Sequence, residues 1–157
     1  ADALNRISES KLGANFFLER KFKTWITPHH KEFQRLFPNI KCETNVRLAL
    51  KAAKKFNISI LLKGANSIIA DNKNAWQLFG TDSQTARAGL GDLLSGFVAG
   101  SSAIDLTFCR NITTDFFAKY VLLHSFAASK CKSGSNASAI GDELSKIMRK
   151  RKTRQIS

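Results

Sequence analysis

No stretch of the 157-residue chain approaches the ~18 consecutive apolar residues that span a bilayer. No charged-then-apolar leader opens it. Cysteine is scarce, and Cys42, Cys109 and Cys131 stand far apart. An odd count without a C-x-x-C pair argues against a disulfide framework or a cysteine-built zinc site, and fits a reducing cytoplasm. Acidic residues number only 12 against 25 lysines and arginines, leaving a net charge of +13. That deficit favours anionic partners: nucleotides, dinucleotides or nucleic acid. No internal repeat is visible. The expectation is a soluble cytoplasmic protein with no membrane partner.

What is present suffices for a core. Hydrophobic residues make up 43% of the chain, and a chain of this length buries about two-thirds of its unfolded surface. Asp2 to Asn5 reads as the end of a strand, followed by a helix with Leu12, Phe16 and Phe17 inward. Trp25-Ile26-Thr27 is a short strand stopped by Pro28, and Glu32 to Phe37 a brief helix closed by Pro38. Thr44 or Asn45 caps a helix that frays at Lys54-Lys55. Ile58 to Leu62 is a buried strand, Lys63 to Asn66 a turn, Ser67 to Ala70 a returning strand, and Trp76 to Phe79 a third short one.

After Gly91 a helix begins that is apolar almost all round, and so is expected to be central. Thr113 or Thr114 caps the next helix, whose stripe of Phe117, Val121, His124 and Ala128 makes His124 a core histidine with one hydrogen-bond partner. Asn136 to Arg149 is a last helix with Ile140, Leu144 and Ile147 inward. The alternation predicts an α/β fold with a mostly parallel sheet. Basic residues crowd 146–157 and read as a solvated, frayed tail, so no specific nucleic-acid partner is expected.

The chemistry concentrates in Gly89-Leu90-Gly91-Asp92, just before that apolar helix. Glycines let backbone N–H groups approach a ligand, and a helix start favours an anion. A carboxylate beside bound phosphate is repelled by it. Asp92 makes sense there as proton acceptor from a hydroxyl facing the phosphate, or simply as the cap of a buried helix, with the glycines shaping a tight turn. Lys63-Gly64-Ala65-Asn66-Ser67 follows a buried strand, where open α/β sheets collect ligands. It is equally an ordinary turn. His29 follows a strand and Pro28, and can point into a cleft. No metal-ligating cluster stands at a recognisable spacing.

Four segments in this order resemble the ADP-dependent NAD(P)H-hydrate dehydratases of the ribokinase-like superfamily. They are Ala1-Asp2-Ala3-Leu4-Asn5, Thr27-Pro28-His29-His30-Lys31-Glu32, Leu62-Lys63-Gly64-Ala65-Asn66-Ser67, and Ala86-Arg87-Ala88-Gly89-Leu90-Gly91-Asp92-Leu93-Leu94-Ser95-Gly96. The segment around His124 is similar to the family's l-H-x-x-A. The resemblance implies the C-terminal portion, residues 1–157, of a three-layer ribokinase-like domain. It implies repair of NADHX and NADPHX with ADP or ATP and Mg²⁺. Asp92 would contact the hydrate and act as base, and His29 would bind the hydrate. Lys63, Gly64, Ala65, Asn66 and Ser67 would bind the adenine nucleotide, with Gly91 at its phosphate end.

Leu90 departs from the family's Thr or Ser, and His30-Lys31 from its Pro-Gly. The family's early strands are missing before Ala1. The chain is therefore expected to be a fragment, inactive alone, with a sheet edge exposed beside Asp2-Ala3. The resemblance admits an upstream epimerase domain, and homo-oligomerisation stays open. Two other readings remain: a ribokinase-like kinase of a small hydroxylated metabolite, and an inactive truncated remnant that binds anions nonspecifically.

Overall fold

The computed structural model describes residues 2–78, 89–109, 111–132 and 134–154, with side chains through Arg149. The chain forms two compact units, Ala1–Thr81 and Asp82–Ser157.

In the first unit Asp2–Glu9 is a helix, α1, and not the end of a strand. Leu4 and Ile7, three residues apart, place both apolar side chains on one helical face, which a four-residue window at the chain's start does not reveal. The helix expected around Leu12 is a short 3-10 segment, Gly13–Phe17, in which Phe17 is buried and Leu12 exposed. Strand β1 (Trp25–Ile26) leads through Pro28 into α2 (His30–Leu36). Helix α3 (Asn45–Phe56) starts at Thr44, whose hydroxyl accepts from Arg47 N. Strands β2 (Ser59–Leu62), β3 (Ile68–Ala70) and β4 (Ala75–Gln77) follow. Phe79, expected at the end of the last strand, lies outside the described residues.

The sheet order is β1-β2-β3-β4. The α/β expectation holds, but the pairing is mixed: β1–β2 is parallel, and β2–β3 and β3–β4 are antiparallel. The physical reason is linker length. The β1–β2 connection contains two helices, as a parallel crossover needs, whereas the segment from Lys63 to Ser67 is long enough only for a reversal. The edge strands among the described residues are β1 and β4, and no strand lies at Asp2-Ala3.

Four phenylalanines organise the core beneath α2 and α3. Phe37 packs on Phe33, Phe56 and Phe17, with ring centroids 4.9, 5.0 and 6.3 Å apart. Ile60 and Leu62 of β2 join this cluster. Leu61 and its cross-strand partner Ile69 are buried as well, so β2 and β3 are apolar on both faces. Helix α3 ends on Asn57 in the left-handed region, φ 51°. Asparagine tolerates this where a β-branched residue does not. Asn57→Val should therefore cost about 1–2 kcal/mol, measured by urea denaturation, while Asn57→Gly stays within a few tenths of wild type.

The second unit is helical: α4 (Leu90–Phe108), α5 (Thr114–Lys130) and α6 (Ala137–Arg154). Ala127, Ala128, Ile140 and Leu144 form its buried cluster, with Leu93 and Phe97 packed against it. Helix α4 is not enclosed as expected. Leu94 and Val98 are buried, but Ile104 and Phe108 are 57% and 83% exposed, because the helix packs on α5 and α6 along one side. The last helix runs on to Arg154, beyond the Arg149 expected for its end. Lysine, arginine and methionine are good helix formers, and cations suit a helix C-terminus. No helix among the described residues is long and apolar enough to cross a membrane.

Candidate functional site

The parallel β1–β2 ladder continues past both strands. His29 and Lys63 form an isolated parallel bridge, and Lys63 N donates to Pro28 O at 2.9 Å. Two segments far apart in sequence, Thr27-Pro28-His29 and Leu62-Lys63-Gly64, thus leave the sheet side by side. Proline suits this point because it fixes its own φ and its carbonyl still accepts.

His29 caps α2. Its Nδ1 accepts from Glu32 N at 3.1 Å, and Glu32 Oε2 accepts from His29 N at 2.8 Å, a reciprocal capping box. Helix α2 therefore begins at His30, earlier than the predicted Glu32. Glu32 itself is only 3% exposed. Burial alone would raise its pKa, but the hydrogen bond from His29 N and the positive charge of Lys63 outweigh burial and hold it below the ordinary value. Sequence reasoning placed Glu32 in a motif but gave it no role. The signal was its position three residues after a capping residue.

Beyond Lys63 the chain turns. Ser67 Oγ donates to Gly64 O at 3.2 Å and accepts from Gly64 N at 3.4 Å. Gly64, Ala65 and Asn66 are exposed, while Lys63 and Ser67 are half-buried. The His30 ring lies over Gly64, 3.6 Å from where a Cβ would stand. The structure thus joins six predicted site residues, His29 and 63–67, at one end of one sheet.

Gly91 and Asp92 lie in the second unit, at the start of α4. Gly89 adopts φ 81°, a left-handed conformation that favours glycine, and as the N-cap it has no side chain to cap the helix. An uncapped first turn leaves backbone N–H donors for an anion, which fits a phosphate group there. Asp92 is exposed, not consumed by packing. Ala86, Arg87 and Ala88 of the same signature lie outside the described residues. Among the described residues no group of three or more His, Cys, Asp or Glu side chains could hold a metal.

Two further features of the second unit stand apart from these residues. A groove of about 1300 Å³ runs between α4 and α6, and none of the predicted site residues lines it. At its wall the Tyr120 hydroxyl donates to Asp105, and Lys119 lies 3.9 Å from the same carboxylate.

His124 is buried as predicted, and its Nε2 has no hydrogen-bond partner among the described residues. Burial lowers its pKa below 6.5. In the unfolded chain the ring therefore binds its proton first as pH falls. Its contribution to stability is complete above 6.5 and is lost as pH falls toward the folded-state pKa. Melting temperature should fall across that window, and His124→Leu should flatten the fall. An unchanged slope in the variant would place this acid lability elsewhere.

Residues 1–150 match the sequence model of a family described as NAD(P)H-hydrate dehydratase. A bifunctional NAD(P)H-hydrate repair enzyme of Synechocystis is 35% identical over 101 residues, 64% of this chain and 19% of that one. An ADP-dependent (S)-NAD(P)H-hydrate dehydratase of Nitrosopumilus maritimus is 37% identical over 78 residues, 48% of this chain and 27% of that one. Among solved structures, a ribokinase-like superfamily protein of Enterococcus faecalis superposes with a TM-score of 0.75 at 25% identity, covering 96% of this chain and 51% of that one. The chain thus spans about half of that structure and a smaller share of the curated relatives.

Proposed function

The chain belongs to the NAD(P)H-hydrate dehydratase family, and on that premise we propose that it takes part in ADP- or ATP-dependent dehydration of (S)-NAD(P)H-hydrate. The observation that carries this reading is the His29–Lys63 bridge. It sets the family's T-P-H segment beside its L-K-G turn, although the two are distant in sequence.

Each group has chemistry suited to its role. Lys63, Gly64, Ala65, Asn66 and Ser67 bind the adenine nucleotide: the turn offers exposed backbone, a hydroxyl and a cation. Gly91 and its neighbours at the start of α4 supply uncapped N–H donors for the terminal phosphate. Leu90 lacks the hydroxyl usual there, but the backbone donors do not depend on it. His29 contacts the hydrate. Asp92 accepts the proton of the hydrate's hydroxyl as that oxygen takes the phosphoryl group. The nucleotide leaves one phosphate shorter, and departure of the new phosphate together with a proton from the adjacent ring carbon then restores the reduced nicotinamide ring.

Mg²⁺ would neutralise phosphate charge. The excess of basic residues suits two polyanionic ligands. The reading places the protein in the cytoplasm, as one C-terminal portion of a ribokinase-like domain.

The test is an assay of the protein as its gene encodes it. NADPHX, ADP and Mg²⁺ should together restore the reduced-nicotinamide absorbance, and omission of nucleotide should abolish the gain. A folded, nucleotide-binding protein that phosphorylates a small alcohol and leaves NADPHX unchanged would overturn this reading in favour of a kinase.

A further inference from the structure

We propose that Glu32 is a positioning residue that locks His29 with its proton on Nε2, so that His29 meets its ligand as a hydrogen-bond donor and not as a base. The inference deepens the role given to His29 above and rests on that reading for the ligand's identity. A nitrogen that accepts an N–H cannot also carry a proton. His29 Nδ1 accepts from Glu32 N at 3.1 Å, so the neutral ring carries its proton on Nε2. Nε2 stands 3.7 Å from Glu32 Oε1, too far for a hydrogen bond, and the His29 side chain is 51% exposed. The structure therefore leaves one N–H donor outside the cap's own hydrogen bonds.

Glu32 holds this arrangement from below. Its carboxylate is buried and accepts from His29 N at 2.8 Å. A buried carboxylate is tolerated only where hydrogen bonds and opposite charge compensate it, and His29 N–H and the Lys63 ammonium do so here. The bridge to Lys63 fixes the His29 peptide from the neighbouring strand as well. With backbone and Nδ1 both engaged, the ring has little freedom to turn. The ligand group it suits is an uncharged oxygen acceptor, a carboxamide carbonyl or a hydroxyl oxygen. His29 cannot take a proton without giving up its cap, which leaves proton removal to another group.

Nitrogen NMR of the isotopically labelled protein, as its gene encodes it, tests the lock directly. In wild type His29 Nδ1 should be unprotonated and Nε2 protonated, with amides 29 and 32 slow to exchange. Glu32→Ala should speed exchange of amide 29 about tenfold, the scale of losing a hydrogen bond to a charged acceptor. It should also give a mixture of ring tautomers. Glu32→Gln keeps an acceptor and a similar shape, and should restore most of both. In the protein as its gene encodes it, Glu32→Ala should raise KM for the hydrate several-fold more than KM for ADP, again with rescue by Gln.

A wild-type ring protonated at Nδ1 would overturn the proposal. So would a Glu32→Ala variant that loses only melting temperature, with the ring tautomer and hydrate KM unchanged. A locked ring in a protein inert toward NADPHX would count against the dehydratase reading while supporting the lock itself.

Discussion

In the protein as its gene encodes it, Asp92→Asn should lower hydrate turnover at least ~10²-fold, the scale of a lost general base, with nucleotide affinity changed by no more than a few-fold. Its place in the structure lets this result discriminate. Asp92 lies in the first turn of α4, where a carboxylate also favours the helix electrostatically. That effect is small, about 0.3–1 kcal/mol for an exposed group. Asparagine keeps the shape and removes only the charge. A residue of purely structural importance would thus cost a little stability and almost no activity. The expected pattern is the reverse: a melting temperature nearly unchanged and a large fall in kcat. The measurement is a rate of NADPHX loss paired with a thermal melt and nucleotide titration. Turnover within a few-fold of wild type would remove Asp92 from the chemistry.

The second large effect is on stability. Phe33→Ala should cost about 3–5 kcal/mol, the usual range for truncating a buried phenyl ring. Phe33 is 2% exposed and packs 4.9 Å from the Phe37 ring, which in turn bridges to Phe56 of α3. It also neighbours Glu32 in α2. Losing the ring should therefore loosen the capping box as well as open a cavity. The check is the denaturant midpoint, which should fall with an unchanged slope of free energy against denaturant. A loss below about 1 kcal/mol would mean that the site collapses around the smaller side chain, or that α2 is not anchored through this ring.

The two predictions probe different levels of legibility. Asp92 and Gly91 are legible as candidates because glycine and acid at a helix start form a short local pattern, and the 63–67 turn because it follows a buried strand. His29 was visible as part of a motif. Glu32 was not visible as a functional group, since its importance lies in burial and in a hydrogen bond returned to His29 N. A glutamate in a seven-residue helix looks like any exposed acid until its rotamer and surroundings are known. The error at α1 arose differently. Asp2 to Asn5 is too short to distinguish period 2 from period 3.6, and Ile7 supplied the missing turn.

Local pattern alone settled where most elements lie. Apolar runs marked β2 and β3, a threonine marked the start of α3, and prolines bounded β1 and α2. These depend on a few neighbouring residues, and any window of the chain contains them. Tertiary structure decided the exposed side of α4, the unpartnered His124 Nε2, and the meeting of His29 with Lys63. Each depends on which distant surfaces come together. That is settled by burial and hydrogen-bond satisfaction across the whole unit, which no local stretch of residues encodes.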